Sequence, residues 1–326
     1  MKILVTGGCG YIGSHTVIEL LNNGYEVKII DNLENSTEDV VKKIEDITKK
    51  RVEFFKGDLR NIEDLQKVLE NIDGVIHFAA YKNALESLEK PLEYFNNNVI
   101  GTYKLLKVMK EKDVKKIVFS SSAAVYGNPR NIPVTEEAEL NPLTPYGRNK
   151  LCMELLLQDV VNLGIDSVAL RYFNAAGAHS SGKLGENPNA YGNLIPRVFK
   201  ASRNQYHLVV RGDKYDTRDG SGVRDYVHVS DLADGHVKAL EWLLKQKNIY
   251  EVFNLCSGEG STVMEIVKGV EKISGRKVDY EIGESDPNEA VVVTGSYEKA
   301  KKIICWEPKR EIGKILEDSN RWYDNQ

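Results

Sequence analysis

The chain has 326 residues, 41% of them apolar and 28% charged, with a formal net charge of −4. That balance, with a pI near 6.0, gives no general attraction to nucleic acid or to an anionic membrane surface, and no apolar run has the length of a membrane span or the pattern of a signal peptide. Four cysteines without a CxxC pair and six histidines without metal-ligand spacing argue against a disulfide framework and a metal centre, and the length suits two lobes better than one core.

The first segment predicts an apolar strand at residues 2–6, a glycine loop, an amphipathic helix and a second strand at 25–30, which together make a βαβ unit. Gly7, Gly10 and Gly13 have the spacing GxxGxxG, with Cys9 inside the loop. Such a loop turns tightly, lets backbone approach a pyrophosphate, and packs the new helix against the sheet, so the phosphates sit on the free amides at the helix start. Asp31 closes the second strand. A carboxylate there accepts hydrogen bonds from both hydroxyls of an adenosine ribose and repels a 2′-phosphate, which points to NAD rather than NADP.

Further strands are expected at 52–55, 75–79, 117–120 and 165–171, alternating with helical patterns as far as Arg171. This is the organisation of a doubly wound, Rossmann-type α/β domain with a parallel sheet. The charged run 42–51 is a solvated helix face and exit. Lys82 stands just past the apolar strand VIHFA, at the ligand-binding edge of the sheet.

Next come a serine run at 120–122 and the segment PYGRNK, which places Tyr146 and Lys150 four residues apart. Residues i and i+4 share a helix face. An ammonium beside a phenol favours the phenolate and moves a pKa of about 10 toward the range where a general base works. A lone YxxxK means little; with the serines and the glycine loop it describes hydride-transfer machinery.

Beyond Arg171 lies a Gly, Asn and Ser-rich stretch at 175–193, then short segments assigned to a smaller C-terminal α/β substrate lobe, 172–326. The apolar strand VFNLC at 252–256 is expected to return to the main sheet, with return segments at about 224–256, so that the lobes interleave. The helix after Tyr146, with Leu151, Leu155 and Leu156, and the segment 94–109 each carry more apolar surface than one face needs.

The motifs TGGCGYIGSH, Asp31-Asn32, Gly57-Asp58-Leu59, HFAAYK, NNVIGT, FSSSAAVYG, PYGRNK, LRYFNAAGAH and GVRDYVHVSDLADGH occur in this order nearly end to end. In that combination the chain resembles the extended short-chain dehydrogenases, and among them the NAD-dependent UDP-sugar 4-epimerases. The resemblance implies Ser122, Tyr146 and Lys150 as the catalytic serine, base and activating lysine. It implies an NAD site formed by Gly7, Gly10, Tyr11, Ile12, Gly13, Asp31, Asn32, Asn35, Ser36, Asp58, Leu59, Phe78, Ala79, Lys82, Asn97, Tyr146, Lys150 and Tyr172. For a nucleotide-sugar substrate it implies Lys82, Ser122, Tyr146, Phe173, Asn174, Asn193, Leu194, Arg224 and Glu289. Arg224 could instead form a salt bridge with Asp225 or another nearby acid.

The implied reaction is epimerisation at C4 through a 4-keto sugar, with UDP-glucose and UDP-galactose as the implied pair. The two apolar helices would join in a homodimer, as in relatives, and the simplest location is cytoplasmic. A 4,6-dehydratase of similar fold carries an acid pair after its serine or threonine, where this chain has Ala123 and Ala124. A non-catalytic dinucleotide sensor has no need of serine, tyrosine and lysine together. Three departures bear on the substrate. Asp286 occupies the arginine position of an Arg-x-Gly-Asp run whose acid is matched by Glu289, Arg211 replaces an aromatic residue, and Val293 stands where some relatives carry tyrosine beside the sugar's C2. The smaller valine is expected to admit a 2-acetamido sugar.

Overall fold

The computed structural model describes residues 1–187, 193–285 and 290–326. Its first half alternates strand and helix: β1 (Lys2–Thr6), α1 (Tyr11–Asn22), β2 (Glu26–Asp31), α2 (Asp39–Thr48), β3 (Glu53–Lys56), α3 (Ile62–Val68), β4 (Gly74–His77), β5 (Lys116–Ser120) and β6 (Asp166–Tyr172). These strands and Tyr250–Leu255 form one seven-stranded sheet in the order Tyr250–Leu255, β6, β5, β4, β1, β2, β3. Every neighbouring pair is parallel. This is the doubly wound α/β fold read from the sequence.

Both faces of a parallel sheet are covered by helices, so its strands are apolar throughout rather than alternating. Leu4, Val5, Ile29, Ile76, Ile117 and Val118 are fully buried. One face packs on α1 and the helix Val229–Leu243, the other on α3 and the helices Gly101–Glu111 and Pro145–Asp159. Burial of each such aliphatic side chain contributes about 1.5–3 kcal/mol. The second strand begins one residue later than the sequence pattern implied because Tyr25 closes the end of α1, its N–H donating to the Leu20 carbonyl. It ends one later because Asp31 pairs in register with Lys56. In the charged run after residue 41, α2 ends at Thr48, with Ile44 buried beneath its solvated face.

The smaller lobe is organised around the strand Val223–His228. It pairs antiparallel with Gly260–Thr262 and parallel with both Val292–Val293 and Asn174–Ala176. A separate parallel pair joins Leu208–Arg211 to Tyr280–Gly283. Helices Leu194–Ala201, Val263–Ser274 and Ile312–Asp324 enclose its core. Val263–Ser274 starts in a capping box, Thr262 Oγ1 accepting from Glu265 N (3.0 Å) and Glu265 Oε2 accepting from Thr262 N (2.8 Å). The chain leaves this lobe at His228, lays Val229–Leu243 against α1, adds Tyr250–Leu255 beside β6, and comes back at Gly260. Ligand-facing loops of both lobes therefore converge on the carboxyl ends of the main strands.

Candidate active site

The order of the main sheet reverses at β1, which lies between β2 and β4, and the crevice outside the carboxyl ends of such strands is where ligands bind. Thr6 and His77 are register partners there. Gly7, with φ +68°, follows β1; a Cβ on it would lie 2.8 Å from Ala79 N, so the loop after β4 leaves no room for any other residue. A Cβ on Gly13 would fall 2.2 Å from the Gly7 carbonyl oxygen. Gly10 caps α1 with no side-chain bond and no acid occupies the first turn, so the free amides around Tyr11 and Ile12 face the crevice with their positive dipole end. The Tyr11 hydroxyl donates to the Gly177 carbonyl at 2.6 Å and ties the lobes together at this point.

Asp31 is held in place by its own chain. Its carboxylate accepts from Cys9 N (3.0 Å), Leu33 N (2.9 Å) and the Ser36 hydroxyl (3.2 Å). Asn32 donates to Asp58 (3.1 Å), which is also gripped by Arg60 through two nitrogens at 2.9 and 2.6 Å. Those bonds hold the Asp58 carboxyl down at about 2. Asn35 is exposed on the same turn, and Leu59 is buried beside Asp58. Asn97 lies in a π-helical stretch, Phe95–Ile100, and donates to Asn98 (3.1 Å), which in turn fixes the backbone N–H and C=O of Tyr81 (2.8 and 3.0 Å). A π-turn inside a helix often marks a functional site because it re-aims side chains. Beneath the loop His77 bridges Thr6 (2.7 Å) and Thr102 (2.9 Å); burial and the nearby Lys150 push it down to about 3, so it is neutral.

Helix Pro145–Asp159 starts at Thr144, whose hydroxyl accepts from Gly147 N at 3.2 Å, with proline at its first position. Tyr146 is half-buried, and Ser122 is the side chain that acts on its hydroxyl. Lys150 is 2% exposed; its Nζ donates to the Ser120 carbonyl (2.6 Å) and lies 5.8 Å from the Tyr146 ring centre. The structure adds a counter-effect to the sequence argument about the phenol. Burial raises the Tyr146 pKa and the Ser122 hydrogen bond offsets only part of that. Burial also brings Lys150 down to about 7, against the pull of Glu154. Tyr172 is the last residue of β6, one beyond the expected strand end, and its hydroxyl is hydrogen-bonded to Ser120.

On the small lobe Phe173 packs with Val125, Tyr126, Val134 and Cys256, and Val293 borders that cluster. Asn174 donates to the Asp225 carbonyl (2.8 Å). Arg224 Nη1 donates to the carbonyls of Val223 (2.9 Å) and Val291 (3.4 Å), and Val293 is its register partner. Asp225 spends its carboxylate elsewhere, on Ser257 (N and Oγ, both 2.7 Å), Gly258 N (3.1 Å) and Gly295 N (3.2 Å). Asn193 caps the helix Leu194–Ala201. Arg211 ends its strand. Asp286 and Glu289 lie outside the described residues.

Sequence reasoning missed three residues at this site. Glu186, 6% exposed, accepts from Lys82 Nζ and Asn193 Nδ2, both at 2.8 Å, and so joins the two sides of the crevice. It sits in a Gly and Asn-rich stretch with no periodic signal. His236 lies between Phe78 and Tyr172, with ring centres 4.6 and 5.8 Å away. Glu154 binds Arg171 with both oxygens; its spacing of four from Lys150 was the clue.

The family model for the NAD-dependent epimerase/dehydratase family matches residues 3–256. The chain belongs to that family. Among its members, a UDP-glucose 4-epimerase of Bacillus subtilis is 46% identical over 328 residues, 99% of this chain and 96% of that protein. The crystal structure of UDP-glucose 4-epimerase from Bifidobacterium longum in complex with NAD+ and UDP superposes with a TM-score of 0.94 at 43% identity, covering 100% and 99% of the two chains. The enzyme from Stenotrophomonas maltophila, with bound NAD and formylated UDP-arabinopyranose, gives 0.96 at 38% identity over 100% and 98%. The residues present fit the family's cofactor. The cradle at Gly7 and Gly13 is one a Cβ would fill, α1 opens with free amides, and Asp31 is pre-set at the ribose position.

Proposed function

We propose that this chain interconverts UDP-glucose and UDP-galactose by NAD-dependent epimerisation at C4, through a 4-keto sugar. The observation that carries the reading is the buried Lys150, whose Nζ lies 5.8 Å from the Tyr146 ring centre and donates to the Ser120 carbonyl at the start of the serine run. When bound, NAD would supply a hydride acceptor for C4 and, once reduced, a hydride donor. Gly7, Gly10, Tyr11, Ile12 and Gly13 would hold its pyrophosphate. Asp31, Asn32, Asn35 and Ser36 would hold the adenosine ribose, Asp58 and Leu59 the adenine, and Phe78, Ala79, Lys82, Asn97 and Tyr172 the nicotinamide half.

The chain's own part is proton transfer and orientation. Tyr146, as phenolate, takes the proton of the 4-hydroxyl, and Ser122 donates to the same oxygen as it becomes a carbonyl. Lys150 stabilises the phenolate. Phe173, Asn174, Asn193, Leu194 and Arg224 hold the nucleotide end, which lets the keto sugar turn; a guanidinium fork suits the diphosphate. Dehydration across C5 and C6 needs an acid pair, and the turn after Ser122 offers Ala123 and Ala124. Incubation with UDP-glucose and no added cofactor, followed by proton NMR of the anomeric signals, is expected to show UDP-galactose. No conversion even with NAD added would overturn the reading.

Two finer statements accompany it. Val293 borders the Phe173 cluster, and a valine where some relatives carry tyrosine would leave room for a 2-acetamido group at the sugar's C2, so UDP-N-acetylglucosamine is expected to turn over as well. Val293→Tyr should abolish that activity while UDP-glucose turnover stays within about threefold, because the bulk meets only the larger sugar; equal loss on both substrates counts against it. The protein works as a homodimer. Leu88, Leu92, Phe95, Tyr103 and Leu155 are 45–83% exposed on the helices around 86–111 and on Pro145–Asp159, apolar side chains that pairing with a second copy would cover. Sedimentation is expected to give a dimer at micromolar concentration and a monomer for Leu92→Glu/Phe95→Glu. We assign the reaction to the cytoplasm; all four cysteines are free, as suits a reducing compartment.

A further inference from the structure

Tyr146, Lys150 and Glu154 form one ladder on the helix Pro145–Asp159, and each rung meets a different residue of the serine run. Tyr146 has Ser122 acting on its phenol, Lys150 Nζ donates to the Ser120 carbonyl at 2.6 Å, and Glu154 Oε1 accepts from the Ser121 hydroxyl. Ser121 is fully buried and Glu154 is 2% exposed. Arg171 on β6 meets the same carboxylate through Nη2 (2.6 Å) and Nε (3.0 Å), and the Tyr250 hydroxyl reaches it at 3.3 Å. A buried carboxylate is tolerated only when paired, and Arg171 already provides that pair. The Ser121 bond is therefore additional to what charge compensation requires, and it joins the loop that carries Ser122 to the helix that carries Tyr146.

We propose that Glu154 is a positioning residue for the epimerisation: through Ser121 it locks the serine loop to the catalytic helix and so keeps the Ser122 hydroxyl in hydrogen-bond range of the Tyr146 phenol. The role rests on the function proposed above. Without the lock, β5 still ends at Ser120 and the helix still packs on β6, but the residue after Ser121 is free to shift by the fraction of an ångström on which proton transfer depends. Two observations agree with it. The Ser121 backbone N–H is fixed on the Leu170 carbonyl (2.9 Å), so the side-chain bond is the remaining degree of freedom, and Glu154 lies near enough to Lys150 to hold its pKa up against burial.

Ser121→Ala removes the hydroxyl and leaves the Glu154–Arg171 pair intact. It is expected to lower kcat between about 10-fold and about 100-fold, the scale of a small misplacement of reacting groups. KM for UDP-glucose should stay within about twofold, with NAD content and melting temperature near those of the parent, because the lost interaction belongs to the transition state. Glu154→Gln, which also unpairs Arg171 and weakens the support of Lys150, is expected to lose at least as much, and the double variant no more than Glu154→Gln alone, since Ser121 acts only through Glu154. Parent kcat in Ser121→Ala, or losses that multiply in the double variant, would overturn the role. If Glu154→Gln fails to fold, Ser121→Ala decides alone. A parent that does not convert UDP-glucose strikes the function itself; an active parent with an unimpaired Ser121→Ala strikes only the positioning role.

Discussion

Tyr146→Phe is expected to lower turnover of UDP-glucose by about 10³-fold, within the range that a positioned general base contributes, while the protein keeps its NAD. The phenol ring is half-buried on the catalytic helix, so removal of one oxygen leaves packing almost untouched. What disappears is the atom that takes the 4-hydroxyl proton and the partner of Ser122. Water cannot replace it in register with the hydride, and Lys150 is occupied with the Ser120 carbonyl. Single-turnover absorbance at the reduced-nicotinamide band, together with bound-NAD content, checks the result. Full turnover in this variant would remove the mechanism whatever the substrate.

Lys150→Met is expected to lower kcat by about 10²-fold or more, and to change the pH profile as well. Burial raises the Tyr146 pKa, so without the ammonium the phenolate becomes scarcer and activity should climb with pH through the assay range without a plateau. A parallel effect on stability follows from the lysine itself. Its pKa is near 7 in the fold against 10.5 for the free side chain, so between those values the unfolded chain binds a proton that the folded one does not. Stability of the cofactor-stripped parent should then rise with pH from about 7 toward about 10, relative to Lys150→Met, which has no such group. Urea midpoints of the two proteins at stepped pH test the sign. A difference that is flat across that window would show the ammonium is not desolvated as the structure has it.

Most of the fold was legible because its signals are local. The glycine loop, the apolar parallel strands and the amphipathic helix act within one βαβ unit, and the 2–6 strand, α1 and the strand ending at Asp31 follow from them. Strand limits moved by one or two residues where pairing decided them, as at Asp31 opposite Lys56, at 75–79, which ends at His77, and at 252–256, which begins at Tyr250. At the site, Tyr146 and Lys150 were visible because a helix converts a spacing of four into a shared face. Glu186 was not visible, because nothing in a stretch rich in glycine and asparagine says that a carboxylate will be buried between Lys82 and Asn193, more than 100 positions from the first of them.

By itself the amino-acid sequence determined the doubly wound α/β class and a loop shaped for a dinucleotide, and it pointed to the serine, tyrosine and lysine proposed for the chemistry, since each depends on short-range spacing or on residue chemistry. Only the tertiary structure decided how those groups bear on one another. The sequence set an ammonium beside a phenol, whereas packing aims the ammonium at the Ser120 carbonyl and lets burial push both pKa values the opposite way. It likewise offered Asp225 as a partner for Arg224, and the fold commits that carboxylate to Ser257, Gly258 and Gly295. Desolvation and long-range hydrogen bonding are properties of the folded interior, and they exist only once distant segments have met.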